Sequence, residues 1–271
     1  MFSPYYAFAR RNGPADPLNH CAINVAVYRK GGKRWTMTER PRDAVGRSAD
    51  TFAVGPSHFC WDGTSLTIQI DEISVPIPAR VRGTIRVVPT AITQQAFVLN
   101  HDGNHQWWPI APCARIQVAL DQPHLRWQGD GYFDMNRGDA PLESGFADWQ
   151  WARGTSRDGG AIILYVAQRR DGSRADLALT FDSQGRMRAV EPPPTVELRR
   201  TGWRVARSVR SDETAHIVRT LEDAPFYARS VIASKLLGEP VILMHESLSL
   251  DRFRMPVVQA MLPFRMPRAR K

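Results

Sequence analysis

Along much of the chain, apolar residues fall at every second position. Leu66, Ile68 and Ile70 alternate with Thr67, Gln69 and Asp71. The same rhythm runs through Ile23, Val25 and Val27, through Ile116, Val118 and Leu120, and through Leu177, Leu179 and Phe181. A period of two places each apolar set on one face of a β-strand. The punctuation between runs is hairpin chemistry. Asp-Gly recurs at 62–63, 102–103, 130–131, 158–159 and 171–172, and Gly31-Gly32 separates two strand-like runs. No segment shows an amphipathic helical period with caps, and 19 Gly with 20 Pro discourage long helices. The pattern predicts an all-β protein, a sandwich or a barrel.

With 271 residues, the chain has room for about 16 to 20 short strands, more than one eight-stranded barrel uses. Two packed β units are expected. The polar, turn-rich stretch Gly138-Asp-Ala-Pro-Leu-Glu-Ser-Gly145 suggests a division into residues 1–140 and 141–271, after which Asp148-Trp-Gln-Trp151 opens a new alternating strand. Glu191-Pro-Pro-Pro194 reads as a rigid connection inside the second unit.

Composition narrows the function classes. Apolar residues make up 43%, enough for a sizeable core. The longest apolar run, Ala161-Ile-Ile-Leu-Tyr-Val-Ala167, is strand-sized and far short of the roughly 20 residues that span a bilayer. The start, Met1-Phe-Ser-Pro-Tyr-Tyr, lacks a basic segment followed by an apolar one, which argues against a signal peptide. Cys21, Cys60 and Cys113 share no ligand spacing and suit a reducing cytoplasm. The net charge is +9 and is carried almost wholly by arginine, lysine standing only at 30, 33, 235 and 271. Besides a genome-level arginine bias, such a charge fits an anionic membrane surface. Nucleic acid is disfavoured, because the arginines are dispersed and no recognition motif appears. The one tight cluster, Arg265-Met-Pro-Arg-Ala-Arg-Lys271, follows an apolar segment and fits a peripheral membrane contact or a solvated tail.

There is no phosphate-cradling glycine loop, no nucleophile elbow and no zinc-binding His-Glu-x-x-His. His101 and His105 are spaced too loosely for a strand-borne metal site, so neither metal nor cofactor is expected. One dense polar-aromatic stretch stands out. His105 and Trp107 share a strand face, and about 20 residues on so do Tyr132 and Asp134. Brought together, they would set a carboxyl in an aromatic pocket, where desolvation keeps an acid protonated at neutral pH. The competing reading makes Asp134 a strand-end turn residue before Asn136 and Gly138, with Trp107 and Tyr132 as ordinary core aromatics.

Several segments, in order, resemble the bacterial carotenoid 1,2-hydratases, also called hydroxyneurosporene synthases. They include Phe2-Ser-Pro-Tyr-Tyr-Ala7, Asp16-Pro-Leu-Asn-His-Cys-Ala-Ile-Asn-Val-Ala26, Gly131-Tyr-Phe-Asp-Met-Asn-Arg-Gly-Asp139, Arg219-Thr-Leu-Glu-Asp-Ala-Pro-Phe-Tyr-Ala-Arg229 and His245-Glu-Ser-Leu-Ser-Leu-Asp-Arg-Phe253. The resemblance implies two packed lipocalin-like antiparallel β-barrels. It also implies a cofactor-free lyase that adds water across the terminal C1=C2 bond of an acyclic carotenoid such as neurosporene or lycopene. The family's Tyr-x-Asp motif and upstream His-x-Trp pair fall on Tyr132, Asp134, His105 and Trp107. In the implied mechanism Asp134 is the acid, Trp107 and Tyr132 face the cation, and His105 orients Asp134 or takes the water's proton. Met135-Asn136-Arg137 after the aspartate is closer to the hydratases than to the related cyclases.

A polyene substrate implies a cytoplasmic protein peripherally attached to the inner, photosynthetic membrane. Phe253, Met255, Val257, Met261, Leu262 and Phe264, beside Arg252, Arg254 and Arg265, are candidates for the membrane-facing mouth, or else form a last strand. The alternatives are a non-catalytic carotenoid- or lipid-binding barrel, an acid-catalysed cyclase or isomerase, and a glycan-processing sandwich using a second carboxylate from Asp130, Asp139 or Glu143.

Overall fold

The structure, a computed structural model, describes residues 2–269. It contains nineteen strands and only short helices among those residues. The fold class is all-β, as the alternation predicts. The chain groups into two compact units.

The first unit holds residues 1–89, 115–129 and 259–271. Strands β1 (Val25–Arg29) and β2 (Gly32–Thr36) form an antiparallel hairpin. Gly31 and Gly32 turn it with φ of 85° and 135°, angles that a side chain would oppose. Next come β3 (Val45–Arg47), β4 (Thr51–Val54), β5 (Ser57–Trp61), β6 (Leu66–Ile73) and β7 (Arg80–Pro89), each from β4 onward pairing antiparallel with its predecessor. The core joins Val27 of the hairpin to Ile70, Val81, Val118 and Leu120. Two acids are buried in this unit, each with a cation. Glu39 is bonded by Ser3, His20 and Arg268, and Glu72 by Arg40 and Ser57.

The second unit holds residues 90–114 and 130–258. Its sheet runs in the order β14-β13-β12-β11-β19-β18-β17. The ranges are β11 (Phe146–Thr155), β12 (Ala161–Arg169), β13 (Arg174–Phe181), β14 (Met187–Ala189), β17 (His216–Asp223), β18 (Tyr227–Leu236) and β19 (Glu239–Ser249). A separate ribbon of β15 (Thr195–Leu198) and β16 (Arg207–Arg210) covers one face, where Val209 meets Ala152, Ile162, Leu164, Ile232 and Leu243. Alternation then turns Trp149, Trp151, Tyr165, Met244 and Glu246 to the other face. The Glu191–Pro194 stretch lies between β14 and β15.

The grouping differs from a single division at 140/141. The chain passes between units at 89/90, 114/115, 129/130 and 258/259. The reason is strand length. After the short β8 (Phe97–Val98), β9 (His105–Gln122) has 18 residues and β10 (Leu125–Gly138) has 14, so each supplies residues to both groupings without a turn to mark the passage. The His105–Trp107 and Tyr132–Asp134 stretches both fall in the second unit.

Two further expectations change. A helix not anticipated from the pattern covers Pro4–Arg11, capped by the Ser3 hydroxyl and started by Pro4; it buries no residue, so no apolar stripe announces it. The C-terminal apolar segment is helical at Leu250–Phe253 and Pro256–Met261, not a strand, since Ser249 caps the first helix and Pro256 opens the second. Within it Phe253 is buried, whereas Met255, Val257 and Phe264 are exposed. Arg270 and Lys271 of the basic cluster lie outside the described residues. Among the described residues no helix is long and apolar enough to cross a membrane.

Candidate active site

The site forms where the start of β9 and the end of β10 meet the aromatic face of the second unit's sheet. On β9 the burial pattern alternates, so His105 and Trp107 both point inward, and Trp107 is fully buried. Its indole packs 5.0 Å from the Tyr165 ring and 5.5 Å from Phe97. Trp149 adds a third wall, 6.2 Å from Tyr165. Tyr132 of β10 stacks on Trp151 at 5.4 Å. Aromatic pairs at these separations are favourable beyond the area they bury and hold the walls in place.

Asp134 sits within this aromatic setting. The Trp107 indole N–H donates to its Oδ2 at 2.8 Å, and the Tyr132 hydroxyl donates to the same oxygen at 3.0 Å. Both donors are neutral, and no salt bridge reaches Asp134 among the described residues. Burial pushes its carboxyl pKa up; the bonds from Trp107 and Tyr132 pull the other way, and the charge of Glu246 adds to the rise. Both of these bonds fall on Oδ2. Burial also raises the Tyr132 phenol well above its ordinary value and raises Tyr165, so both remain hydrogen donors. The Tyr165 hydroxyl is 3.1 Å from Asn136 Oδ1.

His105 is near but not joined to the acid. Its backbone N–H donates to Asn100 Oδ1, and its ring meets Phe146 edge-on at 5.2 Å. A β-bulge between Phe146 and Asp148 turns Phe146 to the same face as Trp149. Gly138 presses on the other side; a Cβ there would lie 2.2 Å from His105 Nδ1, so only glycine fits. The Nε2 atom is buried and takes no hydrogen bond. Burial lowers the His105 pKa, which favours the neutral ring. The orienting contacts expected of His105 belong instead to Trp107 and Tyr132.

Beside Tyr132 opens a groove of about 620 Å³, lined among others by Trp151, Arg153, Ile242, Met244 and Glu246. Sequence reasoning found His105, Trp107, Tyr132 and Asp134, but missed Phe97, Tyr165, Trp149, Trp151 and Glu246. The Trp149-x-Trp151 spacing did carry a signal, since it places two indoles on one strand face. Tyr165 was hidden inside an otherwise aliphatic run. His101, the other half of the His pair, is exposed and meets Ser173, and no cluster of metal-binding side chains occurs among the described residues.

An all-β scaffold that holds a carboxyl of raised pKa between neutral donors and aromatic walls has the makings of a general-acid enzyme. Comparison with known proteins gives the particular family. Residues 1–271 match the family model described as carotenoid hydratase CrtC. The chain is 54% identical over 271 residues to the acyclic carotenoid 1,2-hydratase of Thiocapsa roseopersicina, covering 99% of this chain and 67% of that protein. It is 45% identical over 271 residues to the protein of that name from Cereibacter sphaeroides, covering 99% and 95%. The chain belongs to the carotenoid hydratase family and is a hydro-lyase. Among solved structures, a crystal structure from Nitrosomonas europaea described as a candidate AttH superposes with a TM-score of 0.56 at 12% identity, over 84% of this chain and 80% of that one; the likeness is one of fold.

Proposed function

We propose that this protein hydrates the terminal C1=C2 bond of an acyclic carotenoid, with Asp134 as the acid. The observation that carries the reading is the carboxyl's setting: two neutral donors, aromatic walls and a raised pKa. A simple olefin is too weak a base for anything but a neutral acid, so the catalyst must begin each turnover protonated. Asp134 transfers its proton to C2, and the π electrons form the new C–H bond. A tertiary cation remains at C1. The aromatic faces that meet it stabilise it electrostatically, each by about 1–2 kcal/mol when desolvated, and Tyr132 and Trp151 are the aromatic residues that line the groove. Water then attacks C1 and gives the tertiary alcohol.

The reading needs neither redox cofactor nor metal for its electron balance. It also places the protein at a membrane surface, from which an insoluble polyene must be drawn, and the exposed Met255 and Val257 are consistent with such a contact. The family of relatives named as hydratases favours water capture over the binding-only and cyclising alternatives. The test is incubation with lycopene or neurosporene in liposomes, read by mass spectrometry. Hydration adds the mass of one water, cyclisation adds nothing, and a binding protein returns the substrate unchanged.

A further inference from the structure

The groove beside Tyr132 holds a charged group that the reaction so far does not use. Glu246 of β19 lies directly across the sheet from Trp151 of β11 on one side and Arg229 of β18 on the other. The Tyr132 ring packs against that same Trp151, so Tyr132 and Glu246 flank one indole in the groove lining. Arg229 Nη2 stands 2.6 Å from Glu246 Oε1, and both side chains are about a quarter exposed, at 26% and 24%. A water-accessible carboxylate with its countercharge is thus held one aromatic ring away from the residue that bonds the acid. The other ionisable groups facing this region are Arg153 and Asp130 in the groove lining, and Tyr165 on the strand that β11 pairs with.

We propose that Glu246 is the base of the reaction and accepts the proton of the water that captures the cation. The inference rests on the hydratase reading above. After Asp134 has given its proton to C2, a water lone pair forms the C1–O bond. One O–H bond then breaks, its electrons stay on oxygen, and the proton passes to the Glu246 carboxylate. Protonated Glu246 returns that proton to Asp134, and both groups are reset with no net change beyond the added water.

Three observations favour this assignment. Water attached to a carbocation is strongly acidic, so a carboxylate in contact with it suffices as base. The ionised Asp134 left after the first step is disfavoured by burial, which drives the proton back to Asp134. His105, the other base anticipated from the sequence, does not line the groove and is enclosed by Phe146 and Gly138.

The test compares wild type, Glu246→Gln, Glu246→Asp and Asp134→Asn on lycopene in liposomes, with kcat, KM and pH profiles. Glu246→Gln is expected to lower kcat at least tenfold with KM within twofold. Its alkaline limb should move to lower pH, because a negative charge that opposes ionisation of Asp134 is gone. Glu246→Asp should keep the wild-type limb and recover part of kcat. Should the single Gln variant not fold, the double variant Glu246→Gln/Arg229→Gln removes both charges together and carries the same expectation for kcat. Wild-type kcat in the Gln variant, single or double, overturns the assignment of Glu246. An active Asp134→Asn enzyme instead overturns the hydratase mechanism on which it rests, so the two failures are distinct.

Discussion

Three carboxyls, two in the first unit and one in the second, sit in contrasting settings. In the first, Glu39 and Glu72 are 0% and 1% exposed, and each meets an arginine, Arg268 or Arg40. In the second, Asp134 meets an indole and a phenol. An arginine guanidinium on the carboxyl ties separate parts of the chain together. Around Asp134, burial pushes the carboxyl pKa up while the two neutral donors pull it down. The same functional group is therefore a structural tie in one setting and, in the proposed mechanism, a proton donor in the other.

The sharpest way to break this contrast is Asp134→Asn. The amide keeps the shape and cannot donate an acid proton, so hydration should fall about 10³-fold or more while polyene binding persists. Product mass and a binding titration on the same preparation check this. On the other side, Glu72→Gln leaves the Arg40 guanidinium without its carboxylate and should cost roughly 3–5 kcal/mol of stability, with the hydration rate per folded molecule unchanged. Urea unfolding followed by activity on the folded fraction separates the two effects.

Trp107→Phe keeps a ring but removes one donor to Asp134. It should slow hydration about tenfold, the order of one hydrogen bond to a charge-bearing group. Because that bond lowers the Asp134 pKa, its loss should move the alkaline limb to higher pH. Stability should follow the same proton. The Asp134 pKa is raised in the folded state, so its contribution is present below the unfolded carboxyl value and is lost as pH rises through the folded one. Urea midpoints should therefore fall for wild type relative to Asp134→Asn as pH rises from below the unfolded carboxyl value. The smallest effect is expected from Tyr165→Phe, which gives up the bond to Asn136 for about 1 kcal/mol and should alter hydration less than about threefold.

Much of this was legible in the sequence. Strict alternation and Asp-Gly turns gave the all-β class. Spacing of two at His105-x-Trp107 and Tyr132-x-Asp134 placed each pair on one strand face before any geometry was known. Long-range arrangement was not legible. Nothing local to Glu246 shows that β19 pairs with β11, or that Trp151 stands between it and Tyr132. The unit boundaries escaped for a related reason: strands as long as β9 and β10 carry no turn where the compact groupings change. The helix at Pro4–Arg11 could have been found from its Ser-Pro start, but without a buried stripe its period was silent.

The sheet of the second unit has a ribbon-covered side and an aromatic side that carries the proposed site, and this separation has a practical use. Ala152, Leu164 and Leu243 fill the ribbon-covered side. A directed-evolution library confined to them would trade in heat tolerance alone, leaving the proton chemistry intact. A library at Phe97, Ile242 and Met244, on the opposite side or near it, is the one to screen for new olefins.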